Sequence, residues 1–210
     1  PWPTLTRPSR ATAILEIALT LSGMALTGYM VLHFGDLSSI LLGEEAMDAV
    51  ASFMERYYLL QAVVPVIVVI FVAHIFLAVR KVPTTFNQQW ALMRHLRSLW
   101  HVDTWTWAFQ ILSGVALLAL VAIHLWVVLA DLPIEASKSA SRVFDVYLWL
   151  YVPLILLVVS HMFIGTYRVM VKWGLLSRRL AHLALLMGTA LFLGLGFAIL
   201  VTLYQVGSEL

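Results

Sequence analysis

Four histidines lie inside segments that are otherwise almost entirely apolar, one to each segment: His33, His74, His124 and His161. The clearest case is His74, because the fifteen residues before it, 59–73, include no charged side chain. An imidazole in hydrocarbon is costly, so its presence there indicates a functional site. Neutral imidazole is also a common metal ligand and an axial ligand of haem iron. The pattern therefore predicts that histidines hold a cofactor within the membrane.

The composition defines the class of protein that must position these histidines. Hydrophobic residues make up 62% of the 210 residues and charged residues 11%, and the mean hydropathy is +0.94. These values exclude an ordinary soluble domain and indicate a polytopic membrane protein. The absence of cysteine excludes disulfides and a cysteine-ligated iron–sulfur cluster within this chain. The net charge of +2 gives no indication of nucleic-acid binding.

Five apolar segments are long enough to cross a membrane, and they predict an all-α bundle of five transmembrane helices. Their approximate bounds are 11–34, 59–79, 105–130, 146–171 and 180–204. We expect a short surface helix near 45–54 and a kink at Pro153. Together the five segments predict one transmembrane domain over residues 1–210.

The distribution of charge predicts the orientation of the bundle. Ten of the 13 basic residues fall on the side of the N-terminus, whereas nine of the 11 acidic residues fall on the opposite side. Because positive residues are retained on the cytoplasmic side, we expect a cytoplasmic N-terminus and a C-terminus on the outer side.

This orientation assigns the histidines to two depths. It places His33 and His124 near the outer face, and His74 and His161 in the inner half of the membrane. Two histidines at each depth, on different helices, are what two haems b with paired imidazole ligands need. The predicted separation of the two levels is roughly 15 Å, half of the hydrocarbon thickness.

Several other residues carry weaker signals. Gly23 and Gly114 each precede an outer histidine by ten residues, which places them near the inner level, where we expect them to leave room for a porphyrin. We expect Glu16 to extend from its helix toward the membrane surface. His95, His101 and His182 lie in or beside polar connections, which favours solvated or docking roles.

At these residues the chain resembles the dihaem cytochrome b subunit of succinate:quinone oxidoreductases, the class with one large five-helix anchor. The resemblance covers most of the chain and rests on the order and spacing of several pieces: 33–43, 73–81, 101–107 with Gln110, His124, and His161 followed by 165–174.

The resemblance implies roles for further residues. Thr20, Trp107 and Lys172 match positions that meet haem propionates. Glu55 matches an acid near the quinone pocket at the outer face, where it would accept the quinol proton. Val159 departs from the pattern, because some relatives have glutamate there; this puts a carboxylate-based proton path across the membrane in doubt.

The resemblance also implies two haems b, menaquinone as the electron-carrying substrate, and partners of two kinds. These partners are an iron–sulfur subunit and a flavoprotein subunit that carries FAD and the fumarate or succinate site. A dimer of the whole complex is also compatible with the resemblance. The implied location is the inner membrane of a prokaryote. We expect the basic, tryptophan-rich connection 80–103 to contact the iron–sulfur subunit.

Two alternatives remain open at the level of sequence. The cytochrome b anchor of a hydrogenase or formate dehydrogenase would use the same ligand chemistry with a different spacing and partner. A histidine-using membrane transporter belongs to another class, but such proteins place acids beside their histidines, and spans two to five contain no internal acid.

Overall fold

The computed structural model describes residues 9–82, 85–98 and 102–210, with the backbone alone at 92, 95–97 and 102. The expectations for His101 and for the side chain of His95 lie outside the described residues. The described ranges contain eight α-helices and no strand. The α-helices are α1 Arg10–Leu37, α2 Glu44–Arg56, α3 Leu59–Val79, α4 Phe86–Ser98, α5 Val102–Leu129, α6 Ala136–Ser141, α7 Leu148–Lys172 and α8 Arg178–Glu209.

Five of the described helical segments are long and apolar enough to cross a membrane, which confirms the predicted all-α, five-span architecture. The second span has the predicted bounds, and the others extend by a few residues beyond one or both predicted ends. The helix expected near 45–54 is α2. Pro153 lies inside the continuous helix α7, and Pro65 lies inside α3. Helices α4 and α6 were not predicted, because each is short and lies in a polar connection.

Local chemistry sets the helix ends. Ser9 begins α1 and Ser177 begins α8, each accepting a hydrogen bond at its side-chain oxygen from a first-turn N–H. After α7, Gly174 has a φ of +66°, a left-handed conformation that glycine adopts without strain. This turn reverses the chain and allows α8 to pack against α7.

The densest packing lies at the end of the bundle where α1 ends and α6 begins. There a 3₁₀ turn, Ser38–Leu42, follows α1, and a π-helical segment, Arg142–Tyr147, joins α6 to α7. Asp48 on α2 accepts a 2.7 Å hydrogen bond from the Ala136 N–H at the start of α6. Val159 is fully buried in the apolar core of this region. In the rest of the bundle, the helices α1, α3, α5 and α7 are less tightly packed, and a cavity lies between them.

Candidate cofactor site

One cavity of about 770 Å³ lies between the spanning helices, and all four predicted histidines line it. Its lining is mostly apolar, with a few polar side chains at each end, as in binding sites for large organic cofactors. At one end lie Glu16, Lys81 and Lys172, and at the other lie His33, His124 and Arg142. The structure thus brings together histidines that are separated by up to 128 positions in the chain.

His33 on α1 and His124 on α5 are neighbours in the cavity. Their ring centres are 6.3 Å apart and their planes are inclined by 65°. A metal–imidazole bond of about 2.1 Å puts two rings on opposite sides of one ion at roughly 6.4 Å between centres. Tyr29 stacks on His33 at 5.7 Å, and Tyr151 meets His124 edge-on at 5.8 Å, so aromatic rings hold both imidazoles. Their spacing therefore suits one shared metal ion.

His74 on α3 and His161 on α7 are held in matching ways by the two helices that carry the outer pair. Ser22 Oγ on α1 lies 3.0 Å from His74 Nδ1, and Ser113 Oγ on α5 lies 2.9 Å from His161 Nδ1. Each serine precedes the outer histidine of its own helix by eleven residues. At 1.5 Å per residue, both contacts lie about 16 Å along the helix from the outer pair. The structure thus supports two levels of two histidines.

The glycines next to these serines make room for the imidazoles. A Cβ atom at Gly23 would lie 3.2 Å from His74 Cε1, and one at Gly114 would lie 3.3 Å from His161 Cε1. The expectation that both glycines leave room for a porphyrin stays a prediction, and the nearest protein atoms are those of the two imidazoles. The depth predicted for both glycines is consistent with the structure, because each meets a histidine of the inner level.

The imidazoles that line the cavity suit a metal ion that already has most of its ligands when it binds. Within the described part of the chain, no three histidine or acidic side chains converge on one point, whereas zinc sites typically use three or four protein ligands. Paired imidazoles do suit an iron that already holds four porphyrin nitrogens. His124 Nδ1 is also buried without a hydrogen-bond partner.

The end of the cavity near Glu16 is strongly polar. Glu16 Oε2 accepts from Lys81 Nζ at 2.7 Å and from Lys172 Nζ, so one carboxylate ties α1 to α3 and α7. Thr20 Oγ1 accepts from the Trp173 indole N–H at 3.2 Å. Two lysines therefore pair with Glu16 at this end, and its expected extension toward the membrane surface stays a prediction.

The predicted propionate contacts lie at this same end. Thr20, Trp107 and Lys172 all line the cavity, and Trp107 is partly buried. Two of the three, Thr20 and Lys172, are already connected through Glu16, since the Thr20 hydroxyl donates to the Glu16 backbone oxygen at 2.9 Å. A hydroxyl, an indole N–H and an ammonium group are suitable donors for carboxylates.

Glu55 lies apart from the histidines. It occupies the last turn of α2, is partly buried, and is absent from the cavity lining. Three residues later, Tyr58 has a left-handed φ of 55° and immediately precedes α3. The chain therefore turns sharply beside Glu55 at the mouth of the second span.

Comparison with known proteins identifies the family. Residues 83–202 match the family described as "Succinate dehydrogenase/Fumarate reductase transmembrane subunit". A Helicobacter pylori protein named "Fumarate reductase cytochrome b subunit" is 37% identical over 172 residues, which are 77% of this chain and 68% of that protein. The chain belongs to this family. A Wolinella succinogenes protein of the same name is 31% identical to this transmembrane subunit over 178 residues, or 80% of this chain and 70% of that protein.

Family membership confirms the resemblance that the motifs carried, and it favours a fumarate reductase type of membrane anchor over the two alternatives. It also agrees with the five apolar helices of the transmembrane subunit. The individual residue roles are a separate matter, and they rest on the geometry described above.

Sequence reasoning missed four polar residues of this transmembrane subunit that line or flank the cavity. No role was predicted for Arg142, yet its side chain is 10% exposed and its Nη2 is buried without a hydrogen-bond partner. Gln110 was part of a matched motif without a role, and its amide contacts His161. Ser22 and Ser113 could have been found, because both spanning helices contain a Ser-Gly pair at the same distance before a histidine.

Proposed function

We propose that this chain is the membrane anchor and electron-transfer subunit of a quinol:fumarate reductase or succinate:quinone oxidoreductase. In this role it passes electrons between menaquinone and the soluble subunits through two haems b, and residues 1–210 act as one haem-binding domain. The observation that carries the proposal is the cavity with histidines at two levels, His33 with His124 and His74 with His161. The names of the relatives, cytochrome b subunits of fumarate reductases, point the same way.

In this proposal His33 and His124 hold the outer haem, and His74 and His161 hold the inner haem. A bound haem supplies an iron that accepts and donates single electrons. The chain supplies the axial imidazoles, an apolar cavity that keeps water away, and aromatic contacts that fix the outer rings. The amide of Gln110 contacts His161 Nε2 at 3.0 Å and would yield that position to the iron.

Haem propionates need donors, and both ends of the cavity supply them. Lys172, Thr20 and Trp107 would hold the propionates of the inner haem, with Lys81 beside them. Arg142 would hold those of the outer haem, because its buried Nη2 is a donor without an acceptor. A buried guanidinium nitrogen without a partner is costly, and a carboxylate would remove that cost.

Glu55 is proposed as the base that accepts a proton from quinol at the outer face. Quinol oxidation releases two protons with its two electrons, so a base must lie within hydrogen-bond reach of the hydroxyl. Its support is the match of Glu55 to the family position and its partial burial at the mouth of α3. The quinol would therefore lie between α2 and the outer pair of histidines.

The partners are proposed to lie on the basic side of the membrane, which the positive-inside rule makes cytoplasmic. There α4 presents Phe86, Trp90 and Met93 along one side, with Phe86 77% exposed. Aromatic residues, methionine and arginine are enriched in protein interfaces, so α4 is a suitable contact surface for the iron–sulfur subunit. The flavoprotein subunit, with the site for fumarate or succinate, would bind through that partner. The proposed location is the inner membrane of a prokaryote.

Spectroscopy of the purified complex and its ligand variants tests this function. We expect two haems b per chain, with His33→Ala or His124→Ala removing one and His74→Ala or His161→Ala removing the other. Each variant should lose only its own haem because the two pairs lie about 16 Å apart. A complex without haem b would refute the function, and loss of the same haem in His33→Ala and His74→Ala would refute the pairing.

A further inference from the structure

The two inner histidines each contact a serine hydroxyl through Nδ1, the ring nitrogen that is not expected to bind iron. The distances are 3.0 Å from Ser22 Oγ to His74 Nδ1 and 2.9 Å from Ser113 Oγ to His161 Nδ1. A neutral imidazole carries its proton on one nitrogen and a lone pair on the other. Which group donates in these contacts therefore decides which nitrogen can bind a metal.

Each serine hydroxyl also has a backbone oxygen of its own helix as an acceptor. Ser113 Oγ donates to the Phe109 backbone oxygen at 2.7 Å, and Ser22 Oγ donates to the Leu19 backbone oxygen at 3.1 Å. A hydroxyl has one proton and two lone pairs, so a serine that donates to its backbone oxygen can only accept from the imidazole. In that arrangement the imidazole is the donor, with its proton on Nδ1 and its lone pair on Nε2.

The amide of Gln110 supports the same assignment for His161 independently. Gln110 Nε2 lies 3.2 Å from the backbone oxygen of His161, which can only accept, so the atom there is the NH₂ group. The same NH₂ lies 3.0 Å from His161 Nε2 and must donate to it. The lone pair of His161 is therefore on Nε2, in agreement with that arrangement of the serine contact.

We propose that Ser22 and Ser113 are positioning residues that hold His74 and His161 in the tautomer able to bind iron and make their Nε2 atoms stronger donors. The proposal rests on the function proposed above. A hydrogen bond from the distal N–H of a ligating histidine fixes the ring orientation and raises its basicity. The outer level differs, because His124 Nδ1 is buried without such a partner.

The consequence is a specific effect on the inner haem. A stronger imidazole donor favours ferric over ferrous iron, so hydrogen bonding of this kind lowers the reduction potential. Removing one serine hydroxyl should shift the ferric–ferrous equilibrium of the inner haem toward ferrous iron by about tenfold. For one electron this is a rise of about 59 mV. The outer haem should keep its potential.

The test is a redox titration of the intact complex, with electron paramagnetic resonance of the ferric haems, on Ser22→Ala and Ser113→Ala. We expect both haems to be retained, the inner potential to rise, and the ferric signal of the inner haem to change because its ligand is free to rotate. Ser22→Thr and Ser113→Thr keep the hydroxyl and should restore the original values. Thr202→Ala is the matched control, since this hydroxyl donates to the Ala198 backbone oxygen at 3.0 Å and does not line the cavity.

Three outcomes would overturn the proposal. They are unchanged inner potentials and spectra in both alanine variants, equal shifts of both haems, or loss of the inner haem from the threonine as well as the alanine variants. Failure of the proposed function is a different observation, because the unaltered complex would then lack two haems b. The inference fails separately when both haems are present and the serines do not affect the inner one.

Discussion

Replacement of Gly23 by valine tests the inner pair of histidines through steric overlap alone, because neither histidine is altered. A Cβ atom at Gly23 would already lie 3.2 Å from His74 Cε1, closer than an ordinary van der Waals contact. The two methyl groups of valine extend further toward the ring. His74 can relieve the overlap only by moving away from α1, which breaks its contact with Ser22 and displaces it from its cavity position.

The size of the effect follows from overpacking. Forcing extra carbon atoms into a packed contact costs about 1–3 kcal/mol. If that cost falls on the haem-bound arrangement, the affinity of the inner site for haem should fall by between about fivefold and 150-fold. Gly28→Val is the matched control: it lies on the same helix, and a Cβ there would meet no atom within 4 Å. The gain in helix propensity on losing glycine is common to both variants.

The assay is the haem-to-protein ratio of the purified complex together with reduced-minus-oxidised difference spectra. Gly23→Val should lose or alter the inner haem and retain the outer one, whereas Gly28→Val should keep both. Two unaltered haems in Gly23→Val, or equal losses in the two variants, would refute the assignment of Gly23 to the inner histidine.

Three further predictions concern the ends of the bundle. Glu55→Gln should retain both haems and the dye-linked activity of the soluble subunits but lose most quinol-linked turnover, because the base is removed while size and hydrogen bonding are kept. Glu45→Gln on the same helix α2 is the control. Normal quinol turnover in Glu55→Gln would exclude the role of Glu55 as the base. Arg142→Met should weaken binding of the outer haem by at least tenfold, or about 1.4 kcal/mol, in haem titrations, because a charge-assisted hydrogen bond is lost. The control is Lys138→Met, which removes a lysine that forms ion pairs with Asp131 and Glu135 and should leave haem binding unchanged. Equal effects of the two variants would count against the role of Arg142. Photo-cross-linkers on α4 should reach the iron–sulfur subunit in the assembled complex, and cross-links to that subunit from the opposite side alone would contradict the proposed docking surface.

The sequence predicted the architecture well, because membrane hydrocarbon imposes simple rules. A span must be about 20 apolar residues long and satisfy its backbone internally, so hydropathy alone located the five helices and the bounds of α3. The same rules made the four histidines conspicuous. They gave no information on α4 and α6, since short polar helices depend on contacts that no periodicity records.

Only the tertiary structure decided which side chains meet around the histidines. Ser22 and Gly23 look like ordinary small residues of a membrane helix until α3 brings His74 against them. Glu16 looks like a surface acid until α3 and α7 bring two lysines to it. The physical reason is that hydropathy depends on the membrane and is local to each helix, whereas hydrogen bonds and ion pairs depend on how helices are arranged. The sequence therefore determined the spans and drew attention to the four histidines, and packing determined how each imidazole is held.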